Sequence, residues 1–408
     1  MRPTDGIRIS LASLLENPLR SFLTLLGIAI SVTAVILVVS VINGLDLYIA
    51  DSIGDLGPDV SVVNKFGILK NHEEWLAAAR RNKDLNMEDA DAIRRQAVLA
   101  SKVGVSRWSG GSVKFGSKTV TDVSVGAVSA EIFDIQSIDI AEGRGFSAAE
   151  VEHAAPVCFL GFEVADKLFT PLDPIDREVR IWGRSFQVVG VAQKRGSVFG
   201  SSQDNFVRIP ITLYQKMRGT RGSVSISVKA VSPELLADCM DDVRALMRAR
   251  HHLRYNEEDD FGFVTSAGVM EVWDNLTRMI FRVAIFVVGI SLVVGGIVIM
   301  NIMLLTVVER TREIGIRKAI GARQRDLRFQ FLVESVMLCA AGGLIGVAVG
   351  YLGAWAVRSY TPLPARFPLW APLVAIAVTS AVGIFFGIHP ARQAARLDPI
   401  EALRSQTT

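Results

Sequence analysis

Apolar residues in this chain gather into four long runs without a formal charge, one early and three late, on either side of a polar stretch. The first run lies between Arg20 and Asp46. The others lie between Arg282 and Glu309, between Glu334 and Arg358, and between Arg366 and Arg392. Even the shortest, residues 335–357, has 23 positions without Asp, Glu, Lys or Arg. At about 1.5 Å per residue it exceeds the roughly 30 Å hydrocarbon core of a bilayer. The pattern predicts an α-helical membrane protein with spans at 21–45, 281–308, 335–357 and 367–389 and a large extracytoplasmic insert at 46–280. Short segments at 1–20, 309–330 and 390–408 are left on the opposite side. The first run is about twice a signal-peptide apolar region, and Val41-Ile42-Asn43-Gly44-Leu45-Asp46 offers no small-x-small cleavage site, so it reads as a retained anchor.

Within the insert the periods shorten and mix. Leu47 to Ile53 continue the first helix until Gly54 and Gly57-Pro58. Ala90, Ile93 and Ala97 recur at helical spacing, and Phe162 to Phe169 and Pro233 to Arg250 also read as helices, the latter with Pro in its first turn. Strand-like runs occur at Val60–Val63, Val103–Trp108, Val113–Phe115, Val120–Val128, Ala155–Leu160, Phe206–Ile209 and Val224–Val231. Arg177–Trp182 and Ser185–Val191 predict a hairpin turning at Gly183-Arg184. The insert is therefore mixed α/β.

Charge changes the picture through its position. Half the residues are hydrophobic, 21% are charged and the net charge is +3, too small to suggest nucleic acid. Basic residues cluster at Arg2, Arg8 and Arg20, at 310–328, and at Arg392, Arg396 and Arg404, whereas the 358–366 connection carries only Arg358 and Arg366. By the positive-inside rule both termini and the 309–328 loop are expected in the cytoplasm, which puts the insert outside it.

Candidate chemistry is sparse. Gly111-Ser112-Val113-Lys114-Phe115-Gly116-Ser117-Lys118 comes nearest to a phosphate loop but has Ser where Lys is required, and no H-E-x-x-H or G-x-S-x-G string occurs. His251-His252, about 100° apart on a helix, read as a solvated helix end. Glu257-Glu258-Asp259-Asp260 reads as a solvated acidic turn, without the alternating ligands of a calcium loop. Three cysteines, Cys158, Cys239 and Cys339, make no disulfide framework, although a bridge between Cys158 and Cys239 stays open. No catalytic, cofactor-binding or metal-ligating set is assigned. Within the spans, Gly342, Gly346 and Gly350 recur every four residues, a spacing that lets helices approach closely. Asn43 and Asn301 are expected to hydrogen-bond between helices.

Four stretches resemble the MacB-like branch of ATP-binding-cassette permeases, the FtsX type with one span, an exported domain and three more spans. Asn17-Pro18-Leu19-Arg20-Ser21-Phe22-Leu23-Thr24-Leu25-Leu26-Gly27-Ile28 is similar to the family's first-span entry. The run Glu309-Arg310-Thr311-Arg312-Glu313-Ile314-Gly315-Ile316-Arg317-Lys318-Ala319-Ile320-Gly321-Ala322 resembles its cytoplasmic coupling loop, and Pro390 to Arg404 its C-terminal signature. Glu142-Gly143-Arg144-Gly145-Phe146-Ser147, Val157 to Gly161 and Phe186 to Val191 follow the exported core domain. Where the family usually shows Asp-Pro-x-Gly, this chain has Asp173-Pro174-Ile175-Asp176, and Asp also tolerates turn geometry. Phe66 to Lys83 match no part of the family pattern.

The resemblance implies a permease in a bacterial inner membrane that binds no cofactor itself. ATP and Mg would be bound by a separate cytoplasmic ATPase, since only about 20 residues precede the first span. It also implies a second permease copy, identical or related, and leaves room for a periplasmic membrane-fusion adaptor. Coupling would fall to Glu309, Arg310, Arg312, Glu313, Gly315, Ile316, Arg317, Lys318, Ile320 and Gly321, around an Ile314-Gly315-Ile316 turn, with Ile316 and Ile320 as the apolar face. Arg312, Arg317 and Lys318 would be its polar rim. Export is the leading role. Release of lipoproteins, or FtsX-like signalling to cell-wall hydrolases, are the alternatives.

Overall fold

The computed structural model describes residues 18–54, 57–68, 72–198, 201–361 and 363–398. It divides into a helical unit, Met1–Leu47 with Leu276–Thr408, and a sheet unit, Tyr48–Asn275. In chain order the elements begin with α1 (Pro18–Gly54), β1 (Val60–Asn64), α2 (His72–Arg81), α3 (Met87–Gln96), β2 (Ala100–Phe115) and β3 (Lys118–Val128). Then follow α4 (Glu131–Ile135), β4 (Ile140–Gly143), α5 (Ala148–Glu152), β5 (Val157–Leu160), α6 (Phe162–Phe169), β6 (Glu178–Ile181) and β7 (Arg184–Ala192). After β8 (Ser197–Val198), β9 (Ser201–Ser202) and β10 (Phe206–Pro210) come α7 (Ile211–Arg218), β11 (Ser225–Ala230), α8 (Leu236–Arg250) and β12 (Gly262–Thr265). The chain closes with α9 (Ser266–Glu309), α10 (Thr311–Ala319), α11 (Gln324–Tyr360) and α12 (Ala371–Arg396).

In the sheet unit one ten-stranded sheet runs β12-β1-β11-β2-β3-β10-β5-β7-β4. β6 pairs with both β7 and the far half of β2, through Val113 opposite Ile181, so six strands close into a ring. Two apolar cores line the sheet. The smaller packs α3 and α8 on β1, β2 and β11 around Ile93, Val105, Ile226 and Val243; the larger lies on the ring strands around Phe159, Phe169 and Phe186. β2 serves both, giving Val103 and Val105 to one and Val113 to the other.

The family-like strings acquire physical reasons here. Gly143 has φ +76, and a Cβ at Gly145 would lie 3.0 Å from the Phe133 ring, on which Phe146 packs edge-on. Ser147 caps α5, its hydroxyl accepting from Glu150 N at 3.2 Å while the Glu150 carboxylate accepts from Ser147 N at 2.8 Å. Arg144 donates two further hydrogen bonds to that carboxylate, at 2.8 and 2.7 Å, and holds it at about 2 against an ordinary 4.5. A lowered carboxylate value stabilises the fold fully above pH 4.5, and this contribution is lost as pH falls through about 2. Glu150→Gln is therefore expected to cost about 1 kcal/mol near neutral pH, read as a lower melting temperature. The gap to the parent protein should close on approach to pH 2; a gap constant with pH would deny the charge its role. Asp176 takes φ +61, the turn geometry that the family's glycine would take.

Several expectations change. The hairpin turns at Trp182 and Gly183, both with positive φ (+49 and +82), one residue earlier than the pattern suggested. The two strand runs after residue 100 are one strand, with a bulge between Gly111 and Val113. His251 is not a solvated end. Its side chain is largely buried, with Nδ1 2.6 Å from Asp260 and Nε2 3.7 Å from Asp89. Asp260 is likewise buried, and Asp259 pairs with Arg248 at 2.5 Å, so only the first part of that acidic run is solvated. Cys158 and Cys239 lie in different cores as free thiols, and burial pushes both above the ordinary thiol value. Within the unmatched 66–83 stretch, α2 forms and Trp75 stacks on Phe66 at 6.1 Å.

In the helical unit α1, α9, α11 and α12 are long and apolar enough to cross a membrane. They outrun the uncharged stretches that revealed them: α9 starts at Ser266 rather than 281 and α11 at Gln324 rather than 335. The connection between α11 and α12 folds back on α1, where Arg366 N donates to Ser40 O at 2.8 Å. Asn43 Nδ2 donates to Arg366 O at 3.2 Å, so this side chain serves the connection instead of a neighbouring helix. Gly44 makes the approach possible, because a Cβ there would collide with the Pro364 carbonyl.

Candidate functional site

The family-like 309–322 segment is a helix flanked by two tight junctions. Glu309, exposed, ends α9, and Arg310 departs from helical geometry at φ −97, ψ 14 while its carbonyl still accepts from Ile314 N at 3.0 Å. The chain thus bends into α10 without losing its hydrogen bonding. At the other end Ala322 N donates to Arg317 O and Gly321 N to Lys318 O, each at 3.0 Å, with Gly321 at φ +98. This is a Schellman stop, and it requires the left-handed conformation glycine adopts without strain. Ile314-Gly315-Ile316, expected as a turn, lies within the helix. Two glycines and alternating charge obscured it.

α10 has a fixed face and an open face. Ile314 and Gly315 are buried, while Arg312 and Glu313 are exposed. Arg310 Nη1 lies 3.8 Å from Glu334 on α11, Arg317 Nη1 donates to Gln330 at 3.0 Å, and Lys318 Nζ donates to the Leu397 carbonyl at the end of α12 at 2.6 Å. Arg317 also donates to Glu313 one turn earlier. Arg317 and Lys318 are thus engaged within the chain, and Arg312 remains on the rim. Ile316 and Ile320 are 41% and 82% exposed. Ile320 borders a cavity of about 370 Å³ walled by Ala322, Asp326 and Leu327 of the following turn.

The three spaced glycines face α1. A Cβ at Gly342 would lie 3.1 Å from Ile28 Cβ, at Gly346 2.7 Å from Ala29 O, and at Gly350 2.8 Å from Ile36 Cγ2, while Thr33 Oγ1 donates to Gly346 O at 3.1 Å. A second small-residue seam, which the sequence did not single out, joins α11 to α12: Ser335 Oγ donates to Gly383 O at 3.0 Å, and a Cβ at Gly343 would meet Thr379 at 2.7 Å. Glu334 and Gln330 were also missed, although two polar residues on the buried Leu327, Phe331, Leu338 stripe were a usable signal. Among the described residues, no group of three or more His, Cys, Asp or Glu is arranged to hold a metal ion.

Residues 21–246 match the family model of the MacB-like periplasmic core domain, and residues 285–399 that of the FtsX-like permease C-terminal domain. The chain belongs to the MacB-like permease family. Among relatives, the macrolide export ATP-binding/permease protein MacB of Neisseria meningitidis serogroup A / serotype 4A is 32% identical over 98% of this chain and 60% of its own length. That of Azoarcus sp. (strain BH72) is 35% identical over the same shares. The chain thus spans about 60% of the length of the curated relatives it matches. The periplasmic region of MacB from Actinobacillus actinomycetemcomitans superposes on 56% of this chain, and on 98% of that one, at TM-score 0.45 and 19% identity. The extracellular domain of the noncanonic ABC-type transporter YknZ from Gram-positive bacteria covers 50% of this chain, and all of its own, at 0.41 and 17%. This MacB-like permease is a multi-pass membrane protein with a periplasmic-type domain.

Proposed function

We propose that this MacB-like permease passes the work of ATP hydrolysis, performed by a separate cytoplasmic ATPase, through its spans to its exported domain, in the service of export. The arrangement of α10 carries this reading. Its inner face is bonded to α11 and to the end of α12 and continues directly from α9, so a push on α10 acts on three spans at once. Its outer face offers Ile316 and Ile320, apolar and exposed where an anchor lying on lipid headgroups needs neither the Schellman stop nor the internal ties. The relatives' name joins ATP binding to a permease and to macrolide export, which supports both the partner and the direction. Basic residues at 2–20, 310–328 and 392–404 support cytoplasmic termini. A second permease copy would complete the transporter, with Mg and ATP held by two ATPase subunits and a membrane-fusion adaptor outside.

Purified on its own, the chain is expected to hydrolyse no ATP, and turnover is expected to appear when its ATPase is added, in a ratio of two ATPase copies to each permease pair. Steady hydrolysis by the isolated chain, persisting after removal of contaminating ATPases, would overturn the division of labour.

A further inference from the structure

The helical unit holds a groove that helix packing leaves open. It is walled by Val35 and Val39 of α1, Ile285 and Val288 of α9, and Val374 and Val378 of α12, with a volume of about 420 Å³. The one hydroxyl on its walls, Thr379 Oγ1, is already used, donating to Ile376 O at 3.1 Å. Gly289 lies on the wall, and a Cβ there would find nothing within 4 Å. Water gains nothing from such a surface, because it meets no free polar partner.

The groove's dimensions select its occupant. From Phe281 to Leu292 it follows twelve residues of α9, about 16 Å between the first and the last, close to the ~15 Å depth of one leaflet. Unbroken apolar walls over the depth of one leaflet suit one extended hydrocarbon chain. The mouth carries Phe281 and, at the start of α12, Trp370, an interfacial residue type. Arg282 precedes Ile285 and Gly289 on one helix face, at i, i+3 and i+7. Its Nε donates to Arg278 O at 3.3 Å, and its two terminal nitrogens make no hydrogen bond or ion pair among the described residues.

We propose that this groove binds one acyl chain of an anionic phospholipid, whose phosphate is received by Arg282 at the mouth. The lipid would come from the leaflet adjoining the Ser266 end of α9. It would fill the space that α1, α9 and α12 do not close, with headgroup choice set by a charge-assisted hydrogen bond. The proposal requires the spans but not the transport role.

Native mass spectrometry of the full chain tests it, with detergent-purified protein offered phosphatidylglycerol and phosphatidylcholine of identical acyl chains. The parent protein should retain one lipid and prefer phosphatidylglycerol. Arg282→Gln should reduce that preference about tenfold, the loss of one charge-assisted hydrogen bond. Gly289→Phe fills open space on a helix that gains propensity by losing glycine, and it should abolish retention of both lipids. Val287→Phe, on the exposed side of α9, should retain lipid as the parent does. Unchanged retention by Gly289→Phe, or equal headgroup preference in the parent and Arg282→Gln, would overturn the proposal. So would a change of oligomeric state caused by Gly289→Phe, which would make the groove a contact between copies.

Discussion

Replacing Ile316 and Ile320 together by Asp is expected to abolish capture of the ATPase while leaving the permease folded. Both side chains are exposed in the chain itself, so the carboxylates are hydrated there and cost little. Asp near the last turn of α10 opposes the helix dipole, an effect of only about 0.3–1 kcal/mol. Against an apolar partner surface the same charges would be desolvated without a counterion, costing about 2–5 kcal/mol of association. That separation is the value of the pair. Ile314, on the opposite face, is 2% exposed, and Ile314→Asp should instead destabilise the helical unit itself. Pull-down at matched expression, with melting temperature measured in parallel, distinguishes the two. Normal ATPase capture by the exposed double variant would reduce α10 to a membrane-surface element.

Gly346→Leu is expected to be the most damaging single substitution among the spaced glycines. A Cβ at this position would fall 2.7 Å from Ala29 O and 2.7 Å from Val32 Cβ, so the obstruction is the backbone of α1 and a branch point next to it. Neither can rotate away, and α1 must move outward, breaking the Thr33 bond to Gly346 O. Overpacking of a close seam costs about 1–3 kcal/mol, and here the adjacent contacts at Gly342 and Gly350 loosen with it. Gly27→Leu, at a site where a Cβ meets nothing within 4 Å, supplies the matched control. Melting in detergent should fall sharply for the first and hardly change for the second. Equal melting would show that α1 is held elsewhere.

Features governed by one local window were legible before any coordinates. The spans announce themselves by length and lack of charge, and Gly342, Gly346 and Gly350 by spacing, because each property is carried by consecutive turns of one helix. The Asp173–Asp176 turn was readable for the same reason. What escaped notice depends on residues far apart in the chain. α10 looks like a charged, glycine-bearing loop until Glu334, Gln330 and Leu397 come up against it. His251 looks like a frayed helix end until Asp89, more than 150 residues earlier, closes over it. The strand running through residue 112 was divided in two because Gly110 and Gly111 lower strand propensity; pairing with β3 on one side and with β6 at Val113 overrides that preference. The second seam carries only two glycines at that spacing, Gly383 and Gly387 of α12, and it becomes a seam only where Ser335 and Cys339 of α11 meet them.

Because β2 gives side chains to both cores of the sheet unit, those cores share a continuous stretch of hydrogen-bonded backbone, with no flexible joint between them. Loosening the Val105 end of that strand removes partners from β3 and β11, and β3 is itself one of the ring strands that β6 completes. A disturbance at either end must therefore spread as twist along a common strand or be resisted by the whole sheet. Amides deep in β2 and β3 would consequently open to exchange only with the entire domain, and a weakening substitution in the smaller core would raise exchange in the larger one.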